Sequence, residues 1–359
     1  MLDIDLIEWK EVDTGKAQPL FHTFPVINIF REEKSEPEER RTKAEEDQLL
    51  AGKTGRIYDA APSVEPEVKR KAEQEGAVFA AEEEGKEADF SLVMDDDGAC
   101  LELALATGQV GLKPTAGLVS RYGMRRRTPS LERVSLLAKD AEGCARTLEA
   151  IVGVDSKDPM SRDAYIYDYT QALEADLTGF KLGILGNPEE IREEQRQEFD
   201  EMLQILADKG ASFETVSLDW EEYIEAVDTY LYAAERRMTA RAEMLDPNHE
   251  EREDMALGDW VLQEDHYEEV YLKALKFRSL IKDSYDLFFR EYDLLAVPYA
   301  EEEEDAPYNR YLLGANFAGI PMMAVPKKDG TQSGLYLIAG ANGESKLIRV
   351  AYTYEQGVR

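Results

Sequence analysis

The chain has few cysteines and histidines and a large deficit of positive charge. Its 359 residues include two cysteines and three histidines, and 42 Lys and Arg stand against 75 Asp and Glu, a formal net charge of −33. Two cysteines are too few for a disulfide framework, and such a low number is typical of proteins in a reducing compartment. The acidic surplus repels phosphate backbones and anionic lipid. We therefore expect a cytoplasmic protein that binds neither nucleic acid nor membranes directly.

Long apolar runs are absent too. No stretch approaches the roughly 18 apolar residues that a membrane-spanning helix requires. The first residues, Met1–Glu8, lack the basic start and the apolar run of a signal peptide. Hydrophobic residues nevertheless make up 43% of the chain, which is enough to bury a sizeable core.

Metal and cofactor motifs are also missing. None of the three histidines, His22, His249 and His266, has a second histidine or a cysteine at the spacing of zinc ligands. Residues 52–54 resemble the end of a phosphate-binding loop, but Asp47 stands where that loop needs its first glycine. We expect neither a metal nor a cofactor.

Composition divides the chain into two parts. Residues 1–60 contain a β-forming stretch at Leu20–Phe30 and an almost wholly charged stretch at Arg31–Asp47. We interpret them as a divergent N-terminal segment that is partly linker. Over residues 61–359, short apolar strands alternate with amphipathic helices. This pattern predicts one α/β domain with a largely parallel or mixed sheet covered by helices on both faces.

Capping residues and hydrophobic periodicity locate the main elements of this domain. Asp140 predicts the start of a helix that ends at Gly153, and Gly210 predicts the end of a helix that begins at Glu189. Further helices are predicted over 221–245, 255–289 and 345–355, and strands over 180–185, 212–218, 293–297, 322–325 and 334–338.

Three charged clusters are candidates for functional sites. Asp95–Gly98 and Glu301–Asp305 are acidic, and a metal- or nucleotide-binding role would have to rest on them. Neither has the ligand spacing of a calcium loop, so we interpret both as solvated turns or loops. Arg125–Arg127 is basic, and it either pairs with local carboxylates or binds an acidic partner segment. These residues alone do not specify a reaction.

A family resemblance is carried by several blocks in a fixed order. Gly108–Gly123 closely resembles the segment that follows the nucleophile in amidase-signature enzymes. The likeness continues through residues 130–135, 140–152, 155–159, 177–184, 267–281, 292–298, 316–326 and 347–356. Within the family, the chain resembles the A-type subunits of glutamyl-tRNA(Gln) and aspartyl-tRNA(Asn) amidotransferases. The resemblance covers residues 62–359 and implies the amidase-signature fold.

The catalytic residues of that family do not carry over. Its members hydrolyse or transfer amides with a Ser–Ser–Lys triad, whose nucleophilic serine ends an Asp-Thr-Gly-Gly-Ser motif. Counted back from Gly108, the motif falls on a degenerate stretch, namely Asp95, Asp96, Asp97, Gly98 and Ala99. The position that matches the nucleophile is therefore Ala99, which has no oxygen to attack a carbonyl.

The same resemblance indicates further losses. The family's Gly/Ser-rich segment, which supplies the bridging serine and the oxyanion donors, is expected to be deleted before Asp95. Only Lys53 lies near the place of the catalytic lysine, and no aspartate follows it. The amide-binding arginine of the family falls near Glu253–Asp254, and a substrate-holding aspartate falls on Asn309.

We therefore predict a non-catalytic amidase-like protein, a pseudoenzyme that acts as a cytoplasmic binding or scaffolding subunit. The resemblance implies a protein partner, with amidotransferase subunits as candidates, and the charge favours a basic one. The alternative is an amide hydrolase or an A-type amidotransferase subunit with a rebuilt active site, in which Cys100 is a displaced thiol nucleophile. No histidine or lysine is placed to activate Cys100. This favours the interpretation of Cys100 as a small buried side chain without a catalytic role.

Overall fold

The computed structural model describes residues 55–59, 90–123, 127–163, 168–186, 191–218, 220, 223–242, 252–299, 309–328 and 333–358. Several predicted features lie outside these ranges, namely His22, His249, Lys53, Leu20–Phe30, Arg31–Asp47, Arg125, Arg126 and Glu301–Asp305. The proposed boundary at residue 60 stays a prediction.

A single mixed sheet of nine strands runs through the described residues. In chain order the strands are β1 (Gly55–Asp59), β2 (Phe90–Asp95), β3 (Val110–Lys113), β4 (Arg133–Ala138), β5 (Lys181–Leu185), β6 (Ser212–Val216), β7 (Leu294–Pro298), β8 (Met322–Pro326) and β9 (Gly334–Ala339). Across the sheet the order is β1-β2-β4-β3-β8-β9-β7-β5-β6. The pairs β1–β2, β5–β6 and β5–β7 are parallel, and the central pairs are antiparallel. The predicted mixed α/β sheet is confirmed.

Helices pack on both faces of this sheet. They are α1 (Ala99–Ala106), α2 (Ala141–Ile151), α3 (Glu193–Asp208), α4 (Ile224–Ala242), α5 (Arg252–Val261), α6 (Lys273–Phe288), α7 (Asn309–Ala318) and α8 (Glu344–Gly357). One core contains α2, α3 and α8, and the other contains α1, α4, α6 and α7. We call these the α2 face and the α1 face.

The central strands contribute side chains to both cores, because successive side chains point to opposite sides of a sheet. In β9, Leu335, Leu337 and Ala339 enter the core of the α2 face. Tyr336 and Ile338 enter the core of the α1 face. This arrangement explains why the central strands read as continuous apolar runs rather than as alternating ones.

The capping residues set the helix ends as predicted. The backbone N–H of Gly143 donates to Asp140 Oδ1 at 2.8 Å, which caps the start of α2. Gly210 has a φ of 100° just after α3, a conformation that glycine adopts without strain. The predicted inner face of α3 is buried through Phe199, Met202, Leu203 and Leu206.

The predicted continuous helix over 255–289 is wrong. Helix α5 ends at Val261, and a single turn, Glu264–His266, leads through a π-helical segment, Tyr267–Leu272, into α6. The break occurs because Gln263 is extended, with φ −70° and ψ 149°. The His266 ring then stacks on Trp260 with 4.0 Å between ring centroids, which stabilises the corner.

Among the residues that the structure describes, no helix is both long enough and apolar enough to cross a membrane.

Candidate functional site

The degenerate motif occupies a tight junction between strand β2 and helix α1. Strand β2 ends at Asp95, and α1 begins at Ala99. Gly98 lies between them with a φ of 106°, as expected for a glycine in a left-handed turn. The N–H of Ala99 donates to Asp97 Oδ1 at 2.9 Å. The junction thus holds Ala99 at the exposed first position of a helix, and its side chain offers only a methyl group.

Asp95 is buried, so the interpretation of the whole motif as a solvated turn is wrong. Its side chain accepts the N–H of Gly98 at 2.8 Å and the hydroxyl of Ser135 at 3.2 Å. Lys113 Nζ lies 3.3 Å from Asp95 Oδ2, and both side chains are shielded from water. Burial alone would raise the pKa of Asp95, but the charge of Lys113 and the hydrogen bonds outweigh it and lower that pKa. Asp95 is therefore a buried carboxylate that fixes the turn.

Lys113 is a lysine of strand β3 whose side chain faces this turn. It ends strand β3, and its side chain is completely buried. Its ammonium group is committed to the ion pair with Asp95. This ion pair joins the end of strand β3 to the turn, so Lys113 has a structural role in this arrangement.

Cys100 is the first residue of α1 that points into the core. Burial raises the pKa of its thiol well above the ordinary value, and the negative charge of Asp95 raises it further. A buried, protonated thiol is a poor nucleophile. The geometry agrees with the prediction of a small buried side chain at this position.

Asp96 is held by groups from two other elements. Its carboxylate accepts the hydroxyl of Thr128 at 2.9 Å, and its backbone carbonyl accepts the side-chain amide of Asn316. The amide oxygen of Asn316 in turn accepts from Arg133 at 2.8 Å. These bonds link the turn to the end of helix α7.

Arg133 is a buried cation that closes the C-terminus of α7. Its guanidinium donates to the carbonyls of Asn316 at 2.7 Å and Ile320 at 2.8 Å. Burial lowers its pKa to about 10, so it is charged at neutral pH. Cations at a helix C-terminus are stabilised by the helix dipole. The side chain is therefore used for positioning.

A second arginine contacts the same helix end. Arg278 of α6 donates to the carbonyl of Phe317 at 2.7 Å and to that of Ser130 at 3.1 Å. Glu235 of α4 accepts the N–H of Ser130 at 2.9 Å and lies 4.0 Å from the Arg278 guanidinium. This polar network ties α4, α6 and α7 to the loop before β4.

Of the basic cluster Arg125–Arg127, the structure describes only Arg127. The N–H of Arg127 donates to the Glu132 carboxylate, which also accepts from Thr128 at 2.9 Å. Burial raises the pKa of Glu132. Because this contact is made by the backbone, it does not decide between the two roles predicted for the arginine side chains, which stay predictions.

In the described ranges, no three His, Cys, Asp or Glu side chains are grouped so that they could hold a metal ion. The positions that match the family's binding residues, Glu253–Asp254 and Asn309, fall in helices α5 and α7.

Sequence reasoning missed the buried polar residues around the turn, namely Lys113, Ser135, Arg133 and Asn316, and the half-buried Arg278 beside them. All of them lie in or next to blocks that resemble the family. The signal was present in the sequence, because Lys113 and Arg133 are charged residues in largely apolar strands. A charge inside a buried strand requires a partner.

Comparison with known proteins decides the family. The family described as Amidase matches residues 104–348. The chain belongs to this family. The matched region begins after the degenerate motif, so the assignment of Asp95–Ala99 rests on the register carried back from Gly108.

Individual relatives agree with this assignment. The A-type subunit of the glutamyl-tRNA(Gln) amidotransferase from Lachnospira eligens is 32% identical over 308 residues, which cover 74% of this chain and 64% of the relative. The corresponding subunit from Thermoanaerobacter pseudethanolicus is 30% identical over 311 residues, covering 75% and 63%. The chain thus spans less than two thirds of the length of these relatives.

Solved structures show the same fold. The A-type subunit of the Thermotoga maritima glutamyl-tRNA(Gln) amidotransferase superposes with a TM-score of 0.64 at 22% identity, covering 84% of this chain and 82% of the other. The native peptide amidase of Stenotrophomonas maltophilia gives 0.66 at 20% identity, covering 87% and 86%. The amidase-signature fold is confirmed.

Proposed function

We propose that this amidase-family chain is a pseudoenzyme, which binds other proteins and does not cleave amides. The observation that carries the proposal is Ala99 at the position that matches the nucleophile. The strand–turn–helix junction holds this residue at an exposed helix start, where a serine hydroxyl would be accessible. With a methyl group there, covalent attack on a carbonyl has no nucleophile.

The neighbouring reactive groups support the same conclusion. Cys100 is buried, with a thiol pKa well above its ordinary value. Lys113 is buried in an ion pair with Asp95. Amide cleavage needs a nucleophile, a base that takes its proton and donors aimed at the oxyanion. Loss of one member of such a unit removes several powers of ten in rate, which the remaining members do not restore.

We further propose that the protein acts in the cytoplasm by binding other proteins. Two relatives are named as subunits of a glutamyl-tRNA(Gln) amidotransferase. By analogy, we propose that this chain acts with protein partners, with amidotransferase subunits as the first candidates. The low cysteine count supports a cytoplasmic location.

An electrophile-labelling experiment tests the proposal. The purified protein is incubated with a fluorophosphonate and with an iodoacetamide probe, and labelled peptides are mapped by mass spectrometry, alongside release of ammonia from glutamine and asparagine. We expect no labelled serine, no modification of Cys100 in the native protein and no ammonia above the uncatalysed rate.

The alternative, a rebuilt active site, predicts a different outcome. Ammonia release that is abolished by Cys100→Ala, together with probe attachment at Cys100, would establish a thiol nucleophile. Cys144→Ala is the matched control, because Cys144 is also buried with a raised thiol pKa but lies in α2 on the opposite face of the sheet.

A further inference from the structure

Helix α5 and the corner that follows it form an outer layer on helix α4. Helix α5 packs on α4 and on the π-helical segment Tyr267–Leu272. The buried apolar side chains of this layer form a core of their own, separate from the two cores of the sheet, namely Tyr230, Ala234, Val261, Leu262 and Val270. Small satellite cores of this kind are found beside the main core of many domains.

The contact between α4 and α5 is closest at a glycine. A Cβ on Gly258 would lie 2.3 Å from the carbonyl oxygen of Ala233 and 2.6 Å from Arg237 Cβ. Beside it, Arg237 Nε donates to Asp259 Oδ1 at 2.8 Å, and about a fifth of each side chain is exposed to water. Ion pairs that water reaches add little stability. The docking of α5 therefore depends on the glycine contact and on the small core.

The corner is tied to α5 rather than to the sheet. The His266 ring stacks on Trp260, and its Nδ1 lies 3.1 Å from the Trp260 carbonyl oxygen. The backbone N–H of Gln263 donates to the same carbonyl at 3.2 Å. These contacts join α5 and the turn Glu264–His266 into one piece.

Between the small core and the core of the α1 face, the helix changes its geometry. Residues Tyr267–Leu272 are π-helical, and the α-helical Ala274 and Phe277 that follow lie in the core of the α1 face. The half-buried Tyr271 packs against both cores. Segments of π-helix are rare and often mark functional places in a helix. The irregular turns thus coincide with the passage from one core to the other, as expected of a hinge.

Helix α4 has independent attachments on its other side. Its side chains Ile224, Val227 and Leu231 are buried in the core of the α1 face. Its Glu235 accepts the N–H of Ser130 at 2.9 Å. Helix α4 therefore keeps its place on the sheet whether or not α5 lies on it.

We propose that residues 252–266 are a cover of helix α4, which opens as one unit about the hinge Tyr267–Leu272 while the sheet, α4 and α6 stay folded. Opening separates Gly258 from α4 and exposes the apolar side chains of Tyr230 and Ala234. Native proteins open locally in cooperative units, and units with few buried apolar contacts open most easily. The inference is independent of the proposed absence of amide cleavage.

Native-state hydrogen exchange, measured by mass spectrometry at urea concentrations below the unfolding transition, tests the cover. In the unmodified protein we expect peptides from residues 252–266 to be less protected than those from β8 and β9 by about a hundredfold or more. Their exchange should depend only weakly on urea, because opening the cover exposes little surface. Protection and urea dependence equal to those of β8 and β9 would overturn the cover.

Two matched glycine variants separate local from global opening. In Gly258→Ala and in Gly334→Ala, the new Cβ would lie 2.3 Å from a carbonyl oxygen, that of Ala233 in α4 or that of Val325 in β8. Gly258→Ala strains the closed cover, so exchange of residues 252–266 should rise by about tenfold or more. Gly334→Ala strains the sheet equally with the cover open or closed. It should accelerate exchange in β8 and β9 and change that of residues 252–266 by less than about twofold.

The opposite pattern contradicts the proposal. If Gly334→Ala accelerated exchange of residues 252–266 as much as that of β8 and β9, α5 would expose its amides only when the whole protein unfolds. Circular dichroism verifies that each variant folds, and the urea dependence of the unmodified protein decides the question where a variant does not fold.

Discussion

The two faces of the sheet use their interiors differently. On the α2 face the strands contribute aliphatic side chains such as Leu136, and the buried carboxylates, Glu149, Glu344 and Glu355, belong to helices α2 and α8. On the α1 face, the ends of β2, β3 and β4 bury the charged side chains of Asp95, Lys113 and Arg133. Burying a charge is costly, and replacing a buried ion pair by apolar side chains is often neutral or stabilising. The charges are better explained by the positions they fix, namely the Asp95–Gly98 turn and the end of α7.

The largest effect is expected when the buried ion pair loses one partner. Asp95→Ala leaves the ammonium of Lys113 buried without its carboxylate, so the free energy of unfolding should fall by about 3–5 kcal/mol. In the double variant Asp95→Leu/Lys113→Met the charge is removed together with its partner. Its free energy of unfolding should therefore recover most of the loss caused by Asp95→Ala. Urea unfolding measures both.

Leu148→Ala on the α2 face is the matched control for that comparison. Its side chain is fully buried, and the lost contacts and the cavity should cost about 2–5 kcal/mol. Lys113→Met should not recover this loss, since the two sites lie in separate cores. If Lys113→Met rescued both variants equally, the contrast between the two faces would be wrong.

A smaller effect is expected from Asp228 and depends on pH. Its pKa is about 6 in the folded protein, against about 4 in an unfolded chain. The folded state therefore binds more protons in this interval, and its stability falls as the pH rises from about 4 to about 6. Asp228→Asn should remove this slope and stabilise the protein at pH 7 by about 1 kcal/mol.

Urea unfolding of the Asp228→Asn variant at pH 4.5 and at pH 7 checks this prediction. The stabilisation should be present at pH 7 and largely absent at pH 4.5. An equal change at both pH values would show that the effect of the substitution is not electrostatic.

The fold could be predicted largely because its signals are local. Asp140 caps α2 within three residues of itself, and Gly210 ends α3 through its own backbone conformation. The family resemblance supplied the rest of the architecture. The break at Gln263 was missed because one extended residue leaves the helical periodicity of the flanking residues intact.

The candidate site could be predicted only in part. Counting back from Gly108 assigns Ala99 to the nucleophile position, and this assignment stays a prediction; the structure shows only that Ala99 begins a helix. The burial of Asp95 could not be derived, because its partners Lys113 and Ser135 come from strands 18 and 40 residues further along the chain. Three consecutive aspartates look alike in a sequence, yet one is buried and another is exposed.

The most direct test of the central claim is the amide-hydrolysis rate of the Ala99→Ser variant, measured as ammonia release from glutamine, asparagine and simple amides. The substitution restores a hydroxyl at the helix start, while Lys113 stays buried in its ion pair with Asp95. We predict no turnover above that of the unmodified protein, because amide cleavage also needs a base and oxyanion donors, and the proposed pseudoenzyme has neither. A rate increase of about a hundredfold or more would contradict the account, since it would mean that only the nucleophile had been lost.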